Sequence, residues 1–216
     1  MSRLHSSALA RANVGCGATP TAGWLNFDNS ATVWIARHPV LSLATRLLGR
    51  ASFVESIRRG QIIWAPADKL PVEDGALEVL YSSHMLEHLD RRAVRAFLRE
   101  AFRVLAPGGV LRLVVPDLSM LVRSYLEDRD ADKFMTSTLM SVEADGGLRS
   151  RLKLALLGHR GHHWMYDGQS LAALVADSGF VDVRTLAPGE TRMPEPGGLN
   201  LLERSDESVY VEATRP

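Results

Sequence analysis

The chain has 216 residues, 46% of them hydrophobic, with 25 basic residues set against 25 acidic ones and a single cysteine. That length suits one domain with a substantial core, and the charge balance gives no general field to attract nucleic acid. Cys16 alone excludes an internal disulfide framework, and with no apolar run near the ~18–20 residues of a membrane span and no signal-like apolar core at residues 1–9, a soluble, cytoplasmic protein is expected.

Residues 11–14 are short and end apolar, as a buried first strand would. Gly15 and Gly17 follow, where the backbone can turn sharply and approach a ligand without a Cβ in the way. Residues 24–27 read as a second strand with Asp28 at its carboxyl end, the edge at which open α/β sheets bind ligands. An acid there can accept two hydrogen bonds from a ribose diol. A dinucleotide fingerprint would need a third glycine, a pyrophosphate-holding helix and an acid about 20 residues further on. Here the third glycine position holds Thr19, and Asp28 follows Gly17 by eleven residues. The nine residues between Val14 and Trp24 are too few for two loops and a crossover helix. A cofactor with a ribose but no phosphates fits better, and S-adenosylmethionine is one; a plain strand-to-strand turn is the other reading.

Residues 30–49 carry an amphipathic pattern interrupted at Pro39, and a second short helix is expected over 53–59. Residues 61–64 read as the third strand and 77–81 as the fourth, which runs into Ser82-Ser83-His84 and then Glu87-His88. Val94, Phe97, Leu98, Ala101, Phe102 and Leu105 recur at helical spacing over 93–105. Pro107-Gly108-Gly109 stops that helix, and 110–115 is the apolar run of a buried parallel strand. Helices are expected over 118–128 and 133–157, the latter broken near Asp145-Gly146-Gly147. A further helix over 170–178 has Asp167 as N-cap and Gly179 as its stop. Strands over 180–186 and 208–213 close the chain, joined by a long Pro/Gly-rich connection expected on the surface. Strands alternating with helices argue for a parallel sheet. Residues 29–59 and 131–166 are not needed to complete it, so within one domain over 1–216 they read as lid and acceptor-side insertions, or as additions to the core or a dimer surface.

These motifs together are similar to the class I S-adenosylmethionine-dependent methyltransferases. The resemblance is to the small methyltransferase-11-like subgroup that starts Asn-Val-Gly-Cys-Gly and continues Gly-Trp-Leu-Asn-x-Asp. It is carried by Asn13 to Gly17, Gly23 to Asp28, Ser83-His84-Met85-Leu86-Glu87-His88, Leu105 to Gly109, Gly161 to Asp167 and Ser208 to Ala213. It implies a Rossmann-like α/β sheet of order 3-2-1-4-5-7-6 with strand 7 antiparallel, and S-adenosylmethionine as cofactor. It implies cofactor contacts at Gly15, Cys16, Gly17 and Asp28, with Ser83 and His84 beside the methionine end. An acid after strand 3 would read adenine, but that slot falls on Ala65 or Pro66, leaving nearby Asp68 or the backbone near Ala67 to do so.

His162 stands at the family's histidine position and is the candidate catalytic base, or else a loop anchor. His84, Glu87 and His88 read as hydrogen-bonded anchors rather than a metal set, for want of a third clear ligand; no metal is expected. The expected function is methyl transfer to an oxygen or nitrogen of a small molecule or glycan, with no nucleic acid or membrane partner. A non-catalytic S-adenosylmethionine-binding scaffold or subunit is the alternative, and a nicotinamide oxidoreductase is disfavoured by Thr19 and the missing crossover helix.

Overall fold

A computed structural model describes residues 10–17, 19–30, 33, 61–140, 161–193 and 195–216. The helices expected within 30–49 and over 53–59 fall outside the described residues, as do His159 and most of the helix expected over 133–157. Strands β1 (Ala10–Val14), β2 (Leu25–Asp28), β3 (Ile63–Trp64), β4 (Leu77–Ser83), β5 (Leu105–Pro116), β6 (Val181–Leu186) and β7 (Ser208–Thr214) form one sheet. Its order is β3-β2-β1-β4-β5-β7-β6. Neighbours are parallel from β3 through β5, whereas β7 runs antiparallel to both β5 and β6. Order and direction are those expected from the sequence.

One face carries the main core. Helix α1 (Arg91–Val104) starts at Asp90, whose side chain accepts from Ala93 N, and turns Val94, Phe97, Leu98, Ala101 and Val104 inward. Helix α4 (Gly168–Asp177) starts at Asp167 in a reciprocal capping box with Ser170 and contributes Leu171, Leu174 and Val175 to the same core. Hydrogen bonds from the Ser170 backbone and hydroxyl hold the Asp167 carboxyl below the ordinary aspartate range. Each large apolar side chain buried this way contributes roughly 1.5–3 kcal/mol. Helices α2 (Leu118–Asp128) and α3 (Ala131–Thr138) pack together beyond the end of β5, with Tyr125 and Phe134 rings 5.4 Å apart.

The other face holds a second cluster of Trp24, Val79, Tyr81, Val114, Met193 and Tyr210, with Leu199 and Leu201 packed against it. Its cover comes from the 187–207 connection, which lies on the surface as expected and turns Met193, Leu199 and Leu201 onto the sheet. Met193 is 4% exposed, and Tyr81 Oη donates to Glu203 Oε2 at 2.6 Å. Under this strap lies a buried ion pair: Arg112 Nη1 donates to Glu212 Oε1 at 2.6 Å and to the Glu190 carbonyl at 2.8 Å. Glu212 also accepts from Thr191 Oγ1 and from Arg192 N.

Pro107-Gly108-Gly109 departs from expectation. β5 begins at Leu105, directly after α1, and the turn bulges out of the strand between the pairs Leu77–Leu105 and Val79–Val110. Gly108 N donates to the Arg215 carbonyl there, so the bulge is tied to the chain end.

Candidate active site

The glycine turn is held onto the end of β2. Gly15 N and Cys16 N both donate to the Phe27 carbonyl, at 2.8 and 3.2 Å. Gly17 N donates to Asp28 Oδ2 at 2.9 Å, and Ser30 N donates to Asp28 Oδ1 at 2.7 Å. Asp28 is therefore aimed and immobilised, with one lone pair of each oxygen used by backbone.

Gly15 has φ +77°, and a Cβ there would stand 2.6 Å from Met85 Sδ. Its glycine requirement thus comes from a side chain of the protein itself as well as from turn geometry. Gly17, at φ +52°, faces open space. Cys16 sends its side chain inward against Val33, Ile62 and Trp64, and burial followed by the Asp28 charge pushes its thiol up to about 12. It is a packing residue with an inert thiol, and only its backbone lies on the turn.

After β3 the expected adenine slot holds buried Ala65, whose N donates to the Asp28 carbonyl at 3.3 Å, while Asp68 is exposed in the following turn. The structure does not bring Asp68 into hydrogen-bond contact with the glycine turn or with Asp28.

β4 ends at Ser83, whose hydroxyl is buried without a hydrogen-bond partner. Ser82 Oγ donates to the Val14 carbonyl at 2.9 Å and locks β4 to β1 beside the glycine turn. His84 takes φ +48°, a left-handed backbone that histidine tolerates better than most residues. Arg204 Nη1 lies 2.8 Å from its Nδ1 and can only donate, so Nε2 carries the ring hydrogen and donates to Ser208 Oγ at 2.9 Å. Both ring nitrogens are committed to protein. Nothing local in the sequence announces these contacts, which span more than a hundred residues.

The 3-10 turn Leu86–His88 then brings Glu87 and His88 against residues 161–166. His163 N and Trp164 N both donate to the Glu87 carbonyl, and Leu118 N donates to the Tyr166 carbonyl. These bonds hold the segment over the carboxyl ends of β4 and β5. Glu87 is 1% exposed and neither of its carboxyl oxygens accepts a hydrogen bond. His84 Nδ1 stands 3.4 Å from Oε1, and His88 Nε2 3.9 Å. The His162 ring packs edge-on to His88 at 5.1 Å, with Nδ1 buried and unpaired. Burial, partly opposed by the charge of Glu87, moves its pKa below the ordinary histidine value.

Residues 12–113, from β1 into β5, match the family model for a methyltransferase domain. This segment is similar to methyltransferase domains. The fold is shared with a SAM-dependent methyltransferase from Methanosarcina mazei at TM-score 0.54 and 16% identity, covering 98% of this chain and 94% of that one. It is also shared with a Thermotoga maritima SAM-dependent methyltransferase described as a possible histamine N-methyltransferase, at TM-score 0.50 and 16% identity, with 99% and 84% covered. A complex between the Haloferax volcanii Trm112 methyltransferase activator and a methyltransferase matches at TM-score 0.50 and 12% identity, with 99% and 85% covered. No curated protein matches the sequence.

The residues suit S-adenosylmethionine, the donor that the resemblance implies. Asp28 retains a free lone pair on each oxygen for a diol, Gly17 leaves the space beside it open, and the buried Ser83 hydroxyl lacks a partner. Among the described residues no helix is long and apolar enough to cross a membrane.

Proposed function

We propose that the enzyme methylates an oxygen or nitrogen of a small molecule or glycan, and works in the cytoplasm. S-adenosylmethionine supplies an electrophilic methyl group on a sulfonium. Asp28 would accept from the ribose hydroxyls, with the backbone of Gly15, Cys16 and Gly17 alongside. Ser83 and the backbone of His84 would border the methionine end. Adenine would be read by backbone near Ala67 or by Asp68. Residues 161–166, the described end of the 131–166 insertion, would form the acceptor side.

The observation that carries a catalytic reading is the set of unpaired polar atoms at one sheet edge: Ser83 Oγ, both Glu87 oxygens and His162 Nδ1. Buried polar groups without partners cost roughly 1–3 kcal/mol each, and a scaffold that only binds the donor has no use for Glu87 and His162 in that state. His162 is the candidate catalytic histidine. Its lowered pKa keeps the imidazole neutral near pH 7, the form that accepts a proton. A hydroxyl must lose its proton to become a competent nucleophile, so the cluster favours an oxygen acceptor. Alignment of acceptor, methyl and sulfur accounts for the larger share of catalysis, ~7–11 kcal/mol against ~10²–10⁴-fold from a base.

The test is thermal shift with S-adenosylhomocysteine and with NAD. At a hundredfold excess over Kd the product should add about 2.7 kcal/mol of stability, a rise of roughly 5–10 °C. A shift with NAD and none with S-adenosylhomocysteine would overturn the site reading.

A further inference from the structure

We propose that Glu87, His88 and His162 form a binding site for one divalent transition-metal cation, whose open positions receive the acceptor oxygen. One ligand atom from each of the three residues lies within 4.8 Å of the others. Sequence spacing offered no third ligand next to Glu87-His88; the fold supplies it from the far side of α2 and α3.

Three observations converge. Glu87 is 1% exposed with both carboxyl oxygens unpaired, so its side chain lacks the partner that a buried acid requires. His88 Nδ1 lies 3.2 Å from the Gly161 carbonyl, which can only accept, so Nδ1 carries the hydrogen. The lone pair is thereby left on Nε2, the nitrogen on the Glu87 side. A carbonyl on the far nitrogen is how metal-ligating histidines are oriented. His162 is 8% exposed, its Nδ1 has no hydrogen-bond partner, and its backbone N is anchored on the Leu139 carbonyl at 2.9 Å. His84 is outside the set, because Arg204 and Ser208 occupy both of its nitrogens.

Two imidazoles and one carboxyl group favour zinc, manganese, iron(II) or cobalt(II) over calcium and magnesium, and three protein ligands leave coordination positions free. In a filled site the ligand atoms sit roughly 3–3.5 Å apart, so some contraction accompanies loading. A cation here would act as a Lewis acid on an acceptor hydroxyl and make its proton easier to lose, to water rather than to His162. His162 then serves as ligand, a role that needs the same neutral imidazole as proton uptake. The acceptor part of the inference rests on the proposed oxygen methylation; the cation site stands on the three side chains alone.

The experiment uses the full chain stripped with a chelator, titrated with cobalt(II) by visible absorption and with zinc by calorimetry. S-adenosylhomocysteine binding is measured in parallel. The expected result is one cobalt per chain with ligand-field bands, displaced by zinc. His88→Gln, at a ring 40% exposed, should weaken metal binding at least ~10-fold, and Glu87→Gln should do the same. His163→Gln, at a neighbouring exposed histidine, should leave it unchanged. Absence of bands, or stoichiometric binding that survives both Glu87→Gln and His88→Gln, overturns the site. Loss of metal binding with S-adenosylhomocysteine binding intact overturns only this inference; failure of the nucleoside to bind overturns the proposed function instead.

Discussion

Asp28 Oδ2 accepts the Gly17 backbone N–H at 2.9 Å, so the acid at the end of β2 is also the clamp that closes the glycine turn. The sequence suggested an acid at the ligand-binding edge of the sheet, able to accept from a ribose diol. Asp28 is also 9% exposed and bonded to Gly17 and Ser30. Asp28→Ala should therefore strand two backbone donors and lower stability by about 1–3 kcal/mol. Nucleoside binding should weaken as well, by ~1.5–3 kcal/mol per lost charge-assisted bond. Chemical denaturation and calorimetry separate the two effects, and unchanged stability would mean that the clamp is not formed in solution.

Gly15→Ala and Gly17→Ala should differ although both glycines have positive φ. Each substitution carries the left-handed backbone cost of about 1–2 kcal/mol. At Gly15 the new Cβ also collides with Met85, adding roughly 1–3 kcal/mol of overpacking. Met85→Ala in the Gly15→Ala background should recover only some of the second part, because the Cβ of residue 85 still stands 2.9 Å from the new one, and none of the first. Equal melting temperatures for the two single variants would remove Met85 from the account.

Glu212→Ala should be among the most damaging single changes on the sheet. It leaves the Arg112 guanidinium buried at 1% exposure without its charge partner, a loss of about 3–5 kcal/mol. Replacing both residues by leucine should restore much of the stability, because the pair's desolvation cost disappears with it. A double variant as unstable as Glu212→Ala would show that the pair itself is net stabilising.

His162 gives a pH signature with a definite sign. Its folded pKa lies below the unfolded one, near ~6.5. Between those values the unfolded chain binds more protons, so stability is full above pH ~6.5 and declines as pH falls through the window beneath it. In chelator-treated protein, His162→Gln should flatten that part of the melting-temperature profile. Turnover should rise with pH through a midpoint below the ordinary histidine value. An identical acid limb in wild type and His162→Gln would remove this histidine from the titration.

Much of the fold was legible because the central strands β4, β5 and β7 are buried on both faces, so each carries an apolar run that composition alone brackets. Helix α2 spans the expected 118–128, and Asp167 caps α4 as expected, since capping chemistry is local. Legibility failed where distant segments meet. Met193, Leu199 and Leu201 are spaced apolar residues in a Pro/Gly-rich stretch, and only the uncovered sheet face explains what they do. The His84–Arg204 contact crosses 120 positions and Glu87–His162 crosses 75, with no periodicity to announce either. Gly15 was legible as a turn glycine but not for its close approach to Met85, which lies 70 positions away.

The 187–207 strap has a kinetic consequence. It supplies the Glu190 carbonyl, the Thr191 hydroxyl and the Arg192 amide that complete the Arg112–Glu212 pair. If it lifts, the pair loses those bonds and faces solvent while the sheet is still intact. The strap should therefore open as one cooperative unit rather than fray from its exposed glycines. Amide exchange at Arg192 and Met193 should share a single opening free energy, well above that of Gly197 and Gly198, and Glu212→Ala should lower it for both amides together.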